Sequence, residues 1–285
     1  MRTVLLLLLL AALPVPPATA GTITIDPFFQ SVETSRFRMA FDYDRPELMR
    51  SLYYKDWSTT RDLAGESSNG LEFWGMTFRG VASPGFVRND LIEEHTWEVL
   101  PSSGDTAQVR IWSVSTGEPS VTTTYTFVAD QPWFVVDRTV HFAEHPDTAA
   151  CQLYATRVGF LNSYHALRWR DVSGAYIQRG YCVGGCATPA WDGRWLEHVS
   201  LSNNGGYSVA QLYLDSTAPA TQIARGSGPE SYAGWVSPIL PSGYRDTDAS
   251  IRLLIALSTS PGDTTALDSL WAWFNARNHA VTAAD

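Results

Sequence analysis

The sequence is poor in lysine, in cysteine and in long apolar runs, and it lacks the common catalytic signatures. Lys55 is the only lysine of 285 residues, charged residues make up 17%, and the formal net charge is -9. A chain this acidic, with no Lys/Arg block, has no electrostatic footprint for phosphate backbones, which excludes nucleic acid as a partner. The three cysteines, Cys151, Cys182 and Cys186, come with no second pair or nearby histidine set to complete a tetrahedral zinc site, so no metal is expected. There is no G-x-S-x-G elbow, H-E-x-x-H helix, phosphate-binding loop or dinucleotide fingerprint, and hence no cofactor is expected. The one sustained apolar run, Leu5 to Leu13, is far shorter than the ~20 residues of a membrane span, so no membrane partner is expected. Preceded by Arg2 and followed by Ala18-Thr19-Ala20, it reads as a signal peptide over 1–20, cut after Ala20. The expected compartment is secreted or periplasmic, and loss of Arg2 takes the net charge from -9 to -10.

What the sequence has in quantity is aromatics, 12% of residues with eleven tryptophans. They favour strands, and they also suit a groove for sugar rings. Period-two alternation recurs throughout: Phe37, Met39 and Phe41 face one way, Arg36, Arg38 and Asp42 the other. Strands are expected at Leu71–Phe78, His95–Leu100, Ala107–Val114, Val121–Val128, Trp133–Phe142, Cys151–Phe160, Ala175–Arg179, Trp195–Leu201, Tyr207–Leu214 and Ile251–Leu257. Turn signals such as Ser83-Pro84-Gly85, Asp130-Gln131-Pro132 and Asp192-Gly193 separate them. The fold class is all-β, a large antiparallel sandwich of the supersandwich or jelly-roll type, with one C-terminal helix. That helix begins after Asp263 or Thr264 and places Leu267, Leu270, Trp271 and Phe274 at i, i+3, i+4 and i+7. A short helix at Pro46–Leu52 is a further expectation, since Pro46 suits a first helical position. Residues 21–285 are read as one domain.

The order of these strands and their phrases resembles the galactose-mutarotase-like supersandwich of aldose epimerases and many carbohydrate-active enzymes. The resemblance lies in Ser35-Arg36-Phe37-Arg38-Met39-Ala40-Phe41-Asp42 with Leu48 to Tyr53, in Thr123 to Phe127 with Asp130 to Val140, and in Trp191-Asp192-Gly193-Arg194-Trp195. It implies a sandwich fold and a carbohydrate partner. It fixes no position for the family's catalytic His and Glu.

The densest polar cluster is Tyr164-His165-Ala166-Leu167-Arg168-Trp169-Arg170-Asp171. As a strand it puts Tyr164, Arg168 and Arg170 on one face and Leu167 and Trp169 on the other. A Tyr164 or His165 base beside Arg168 and Arg170 is the equipment of β-elimination, where Arg neutralises a uronate carboxylate and the base takes the C5 proton. Glu93-Glu94-His95 offers the residue types of an epimerase, and Asp137 two positions from His141 offers an oriented imidazole. Trp191, Arg194, Trp195 and Glu197 surround a turn where rings could stack on sugar faces and charges grip hydroxyls, with Trp57 a further platform. A disulfide between Cys182 and Cys186 would pin the intervening Gly184-Gly185 loop, with pairing to Cys151 as the rival. The expectation is a carbohydrate-active protein, a polysaccharide lyase by β-elimination in one reading. The alternatives are a non-catalytic sugar-binding or scaffold domain and an aldose-1-epimerase-like isomerase.

Overall fold

The structure, a computed structural model, describes residues 21–43, 48–60, 62–63, 71–72, 75–79, 86–87, 92–115, 120–142, 150–154, 157–158, 166–179, 191–200, 206–216, 223–225, 234–236, 239–240 and 247–277. Alternating apolar and polar residues pair into antiparallel ladders wherever one face has a core to bury. A six-stranded sheet is ordered β1-β2-β3-β4-β5-β13, with β1 Thr24–Asp26, β2 Ser31–Glu33, β3 Phe37–Phe41, β4 Leu48–Tyr54, β5 Leu71–Glu72 and β13 Arg157–Val158. A nine-stranded sheet is ordered β15-β14-β16-β17-β21-β11-β10-β9-β8. Its strands are β8 Ile92–Ser103, β9 Thr106–Ser115, β10 Ser120–Val128, β11 Trp133–Phe142, β14 Ala166–Arg170, β15 Tyr176–Arg179, β16 Trp195–Ser200, β17 Tyr207–Ser216 and β21 Thr247–Ser258. Two smaller sheets are β20-β12-β6-β7 (Ile239–Leu240, Ala150–Tyr154, Gly75–Arg79, Phe86–Val87) and β18-β19 (Ile223–Arg225, Gly234–Val236).

The all-β sandwich is as expected; β8, β9, β10, β17 and β21 extend the expected ranges by a residue or a few, and β11 matches its own. Two expected strands are each two. Leu71–Phe78 divides into β5 and β6, and Cys151–Phe160 into β12 and β13, with the halves of each in different sheets. The expected helix at Pro46–Leu52 is corrected: Leu48–Tyr54 is strand β4, because Met49, Leu52 and Tyr54 join the core while pairing β3 across a bulge at Ala40/Phe41.

The nine-stranded sheet has apolar residues on both faces. Its inner face supplies Val109, Ile111, Tyr125, Phe134, Val136, Trp169, Leu196, Val209 and Leu253, which pack against Val32, Phe37, Met39 and Leu52 of the six-stranded sheet. Its outer face supplies Val128, Trp133, Val135, Trp195, Leu212 and Leu254, covered by helix α1, Thr264–Ala276, through Leu267 and Phe274. Asp263 caps the helix by accepting from the Ala266 N–H at 3.0 Å, as expected from the sequence. Trp271 remains partly exposed and donates its Nε1–H to the Tyr213 carbonyl. Full burial of an apolar side chain such as Leu267 or Phe274 contributes about 1.5–3 kcal/mol. The strand latest in sequence, β21, runs through the middle of this sheet, paired on one side with β11 and on the other with β17.

Candidate functional site

Five of the side chains singled out in the sequence, Arg168, Arg170, Arg194, Trp195 and Glu197, meet where β14 and β16 pass under α1. Arg168 lies opposite Glu197 in the β14–β16 ladder, with Trp169 opposite Leu196. Alternation therefore sends Arg168, Arg170, Trp195 and Glu197 to the helix side and Leu167, Trp169 and Leu196 into the sandwich, as read from the sequence for β14. The approach to β16 is a turn in which Gly193 takes φ +82 and Asp192 Oδ1 accepts from the Arg194 N–H at 3.0 Å.

That turn fixes the two tryptophans differently from the expected sugar platform. Trp191 points inward, 8% exposed, edge-on to Tyr213 at 4.9 Å, with its Nε1–H given to the Trp195 carbonyl. Trp195 points the other way but is fully buried, its Nε1–H donated to Asp268 Oδ1 at 2.8 Å and its ring stacked on Tyr176. Neither offers a face to a sugar, so both are corrected to core residues. Glu197, 1% exposed, is equally withdrawn from solvent. Trp57 is partly buried against the inner core, its ring 4.1 Å from that of Tyr207.

The charged side chains are paired with one another. Arg168 donates Nε–H to Gln178 Oε1 at 2.5 Å and lies 3.7 Å from Glu197, whose other oxygen accepts from the Gly262 N–H. Arg170 lies 3.3 Å from Asp268 and 3.8 Å from Asp192, and Arg194 lies 3.3 Å from Asp192. Arg194 also sits 4.9 Å over the Trp271 ring. Tyr176 donates its hydroxyl to Asp268 Oδ2 at 2.6 Å, which pushes the phenol pKa up. Burial works to raise the Asp268 carboxyl, but hydrogen bonds from Tyr176 and Trp195 and the charges of Arg170 and Arg194 outweigh it and hold its pKa below the usual value. Burial dominates at Asp192 and pushes that carboxyl up. Three arginines thus meet three carboxylates in a charge-balanced clamp that fastens α1 to the sheet. Asp268, Tyr176, Gln178 and Gly262 were not singled out in the sequence. The available signal was Asp268 itself, an acid set inside the apolar stripe of Leu267, Trp271 and Phe274.

Other expectations fall elsewhere. Tyr164, His165, Cys182, Cys186 and residues 1–20 lie outside the described residues. His141 pairs across the strands with Asp248 at 2.7 Å, while Asp137 pairs with Arg252 at 3.3 Å, so the expected Asp137–His141 couple is replaced by two cross-strand pairs. Glu94 is exposed on β8 and His95 half-buried. Among the described residues the buried imidazole is that of His198, on the inner face, 1% exposed and 3.4 Å from Gln211 Nε2. Burial drives its pKa down to about 3.

Beyond α1 the outer face of the nine-stranded sheet is polar and solvent-accessible. The strand registers place its residues in rows across five strands, β8, β9, β10, β11 and β21. One row is Glu98, Arg110, Thr124, Asp137 and Arg252, and the next is Thr96, Trp112, Thr122, Thr139 and Ser250. A third is Glu94, Val114, Ser120, His141 and Asp248. Val109, Ile111, Tyr125 and Val136 hold the inner core beneath them, which is why these polar residues face out. Trp112 is half-buried yet belongs to neither core cluster, unlike Trp97, which packs inward from β8. Arg110 and Glu98 lie 3.6 Å apart with side chains 46% and 58% exposed. The sequence signal for this face was Gln108, Arg110 and Trp112 alternating with Val109 and Ile111, followed by the threonines of β10.

No protein-family model matches the chain, and no curated protein matches it in sequence. Solved structures do match in fold. An alpha-mannosidase from Enterococcus faecalis V583 superposes with TM-score 0.58 at 9% identity, covering 92% of this chain and 32% of that one. Alpha-N-acetylgalactosaminidase NagBb from Bifidobacterium bifidum, solved with GalNAc, gives TM-score 0.55 at 12% identity, over 87% of this chain and 39% of its own. The GH36 alpha-galactosidase AgaB from Geobacillus stearothermophilus gives 0.50 at 9% identity, over 84% and 41%. This chain therefore spans between 32% and 41% of the length of these three glycosidases. What it shares with them is the β-sandwich fold.

Proposed function

We propose that this chain is an exported carbohydrate-recognition domain that holds a saccharide against the open half of its nine-stranded sheet. The observation that carries the reading is the row Thr96, Trp112, Thr122, Thr139 and Ser250, four short hydroxyl side chains and one accessible indole held in register by five strands. Hydroxyls and flanking ion pairs exchange hydrogen bonds with sugar hydroxyls, and the indole accepts a ring's C–H face. The fold likeness to three glycosidases supports a carbohydrate partner. Binding is favoured over β-elimination because Arg168 and Arg170, the expected uronate clamps, already hold Glu197, Asp192 and Asp268.

The test is affinity electrophoresis of the purified protein against a polysaccharide panel, with absorbance of unsaturated uronates followed in parallel. Retardation by at least one polymer with flat absorbance is the expected result. Trp112→Ala should abolish the retardation while its melting temperature stays within a few degrees of the parent. Turnover that Arg168→Ala removes without lowering the melting temperature would instead establish the lyase.

A further inference from the structure

We infer that the ligand of this face is an uncharged, extended saccharide chain that lies across the strands along the Thr96–Trp112–Thr122–Thr139–Ser250 row. The inference rests on the carbohydrate reading and adds charge class, length and direction to it.

Direction and length follow from the register. Five neighbouring strands at ~4.8 Å separation make the row about 19 Å long, room for several successive sugar rings. Along it only Trp112 rises above the height of a serine or threonine. The rows on either side stand higher, with Glu98, Arg110, Asp137 and Arg252 along one, and Glu94 at the near end and His141 with Asp248 at the far end of the other. Residues two positions apart on a strand share a face, so these flanking rows are about 13 Å apart across the low row. The outcome is a shallow trough, floored by hydroxyls and an indole, running perpendicular to the strands.

The charge class follows from the pairing. Glu98 with Arg110 and Asp137 with Arg252 match each arginine along the trough with a carboxylate, Asp248 lies against His141, and Glu94 adds a further exposed carboxylate at the β8 end. A uronate or sulfate would have to take Arg110 or Arg252 from a carboxylate already placed there, and would meet that carboxylate's repulsion. A neutral hydroxyl bonds to either member of such a pair without separating it. Polyanion sites work in the opposite way, through unmatched cations that make affinity fall with salt.

The test uses the purified protein with soluble galactomannan, xylan and dextran against polygalacturonate and alginate at low and high salt. A ladder from mono- to hexasaccharide of any polymer that binds is then titrated calorimetrically. Expected are binding to a neutral polymer, little change with salt, and affinity rising about tenfold or more between mono- and tetrasaccharide as further contacts engage. Trp112→Ala removes the indole and Thr122→Arg fills the trough. Either should remove the chain-length gain, so a folding failure of one leaves the other to decide. Binding confined to the anionic polymers with steep salt dependence overturns the inference and leaves the carbohydrate reading standing. The same holds if a monosaccharide binds as tightly as the tetrasaccharide, whereas neutral-polymer binding that survives both variants overturns the inference and also places the saccharide off this face. Failure to bind any of the five polymers or their fragments overturns both.

Discussion

Trp191 shows how much one side-chain direction decides. Its neighbours Asp192 and Gly193 form a turn, and the sequence alone leaves the direction of a turn side chain open, because it depends on local φ and ψ rather than on alternation. The fold turns the indole inward against Tyr213 and ties its Nε1–H to the Trp195 carbonyl. Trp191→Ala should therefore cost about 3–5 kcal/mol of stability, the range for a core Trp emptied to a cavity. A thermal melt close to that of the parent would contradict the core assignment. By contrast, the shared face of Arg168 and Arg170 was legible, because period-two geometry fixes it once β14 is recognised as a strand. Their partners were not legible, since Asp268 is about a hundred residues away in sequence and meets Arg170 only when α1 docks.

At the scale of elements, the strands that could be read from sequence are those whose alternation continues for nine or more residues, such as β10 and β11. Those misread, β5 with β6 and β12 with β13, change sheet partway, and a change of partner leaves the alternating pattern intact. The helix was legible in its cap and its apolar stripe, yet its attachment is polar as well as apolar. Asp268 receives the Tyr176 hydroxyl and the Trp195 Nε1–H and faces Arg170. Asp268→Ala leaves these donors unmatched, and destabilisation of about 1–3 kcal/mol is expected from the lost acceptor. Intrinsic tryptophan fluorescence should shift as Trp195 loosens, while binding to the open face, on strands away from the clamp, stays unchanged. Loss of saccharide binding with an unaltered melt would mean that the clamp is itself the ligand site.

At the scale of the whole molecule, acid sensitivity is set largely by what the sandwich buries. His198 is neutral in the native protein because burial pulls its pKa from 6.5 to about 3. The unfolded chain takes up that proton near its ordinary value and the folded chain does not. Stability is then full above about pH 6.5 and declines as pH falls toward 3, by up to ~1.4 kcal/mol per pH unit from this group. Asp268, held below 3.8, adds its own loss only at lower pH. Denaturant melts between pH 7 and 5 should show the decline, and His198→Gln should flatten it while lowering stability at pH 7. An unchanged slope in the variant would assign the acid sensitivity to other groups. The position of β21 has a consequence for how the chain is made. It joins the block β8–β11 to the block β14–β17, and it reaches neither until residues 247–258 have been synthesised. Until then β11 and β17 each present a bare edge to solvent, open to pairing with other chains. During synthesis, the protein is thus most prone to aggregate just before β21 arrives, and a holdase that covers those two edges would shield it through that interval.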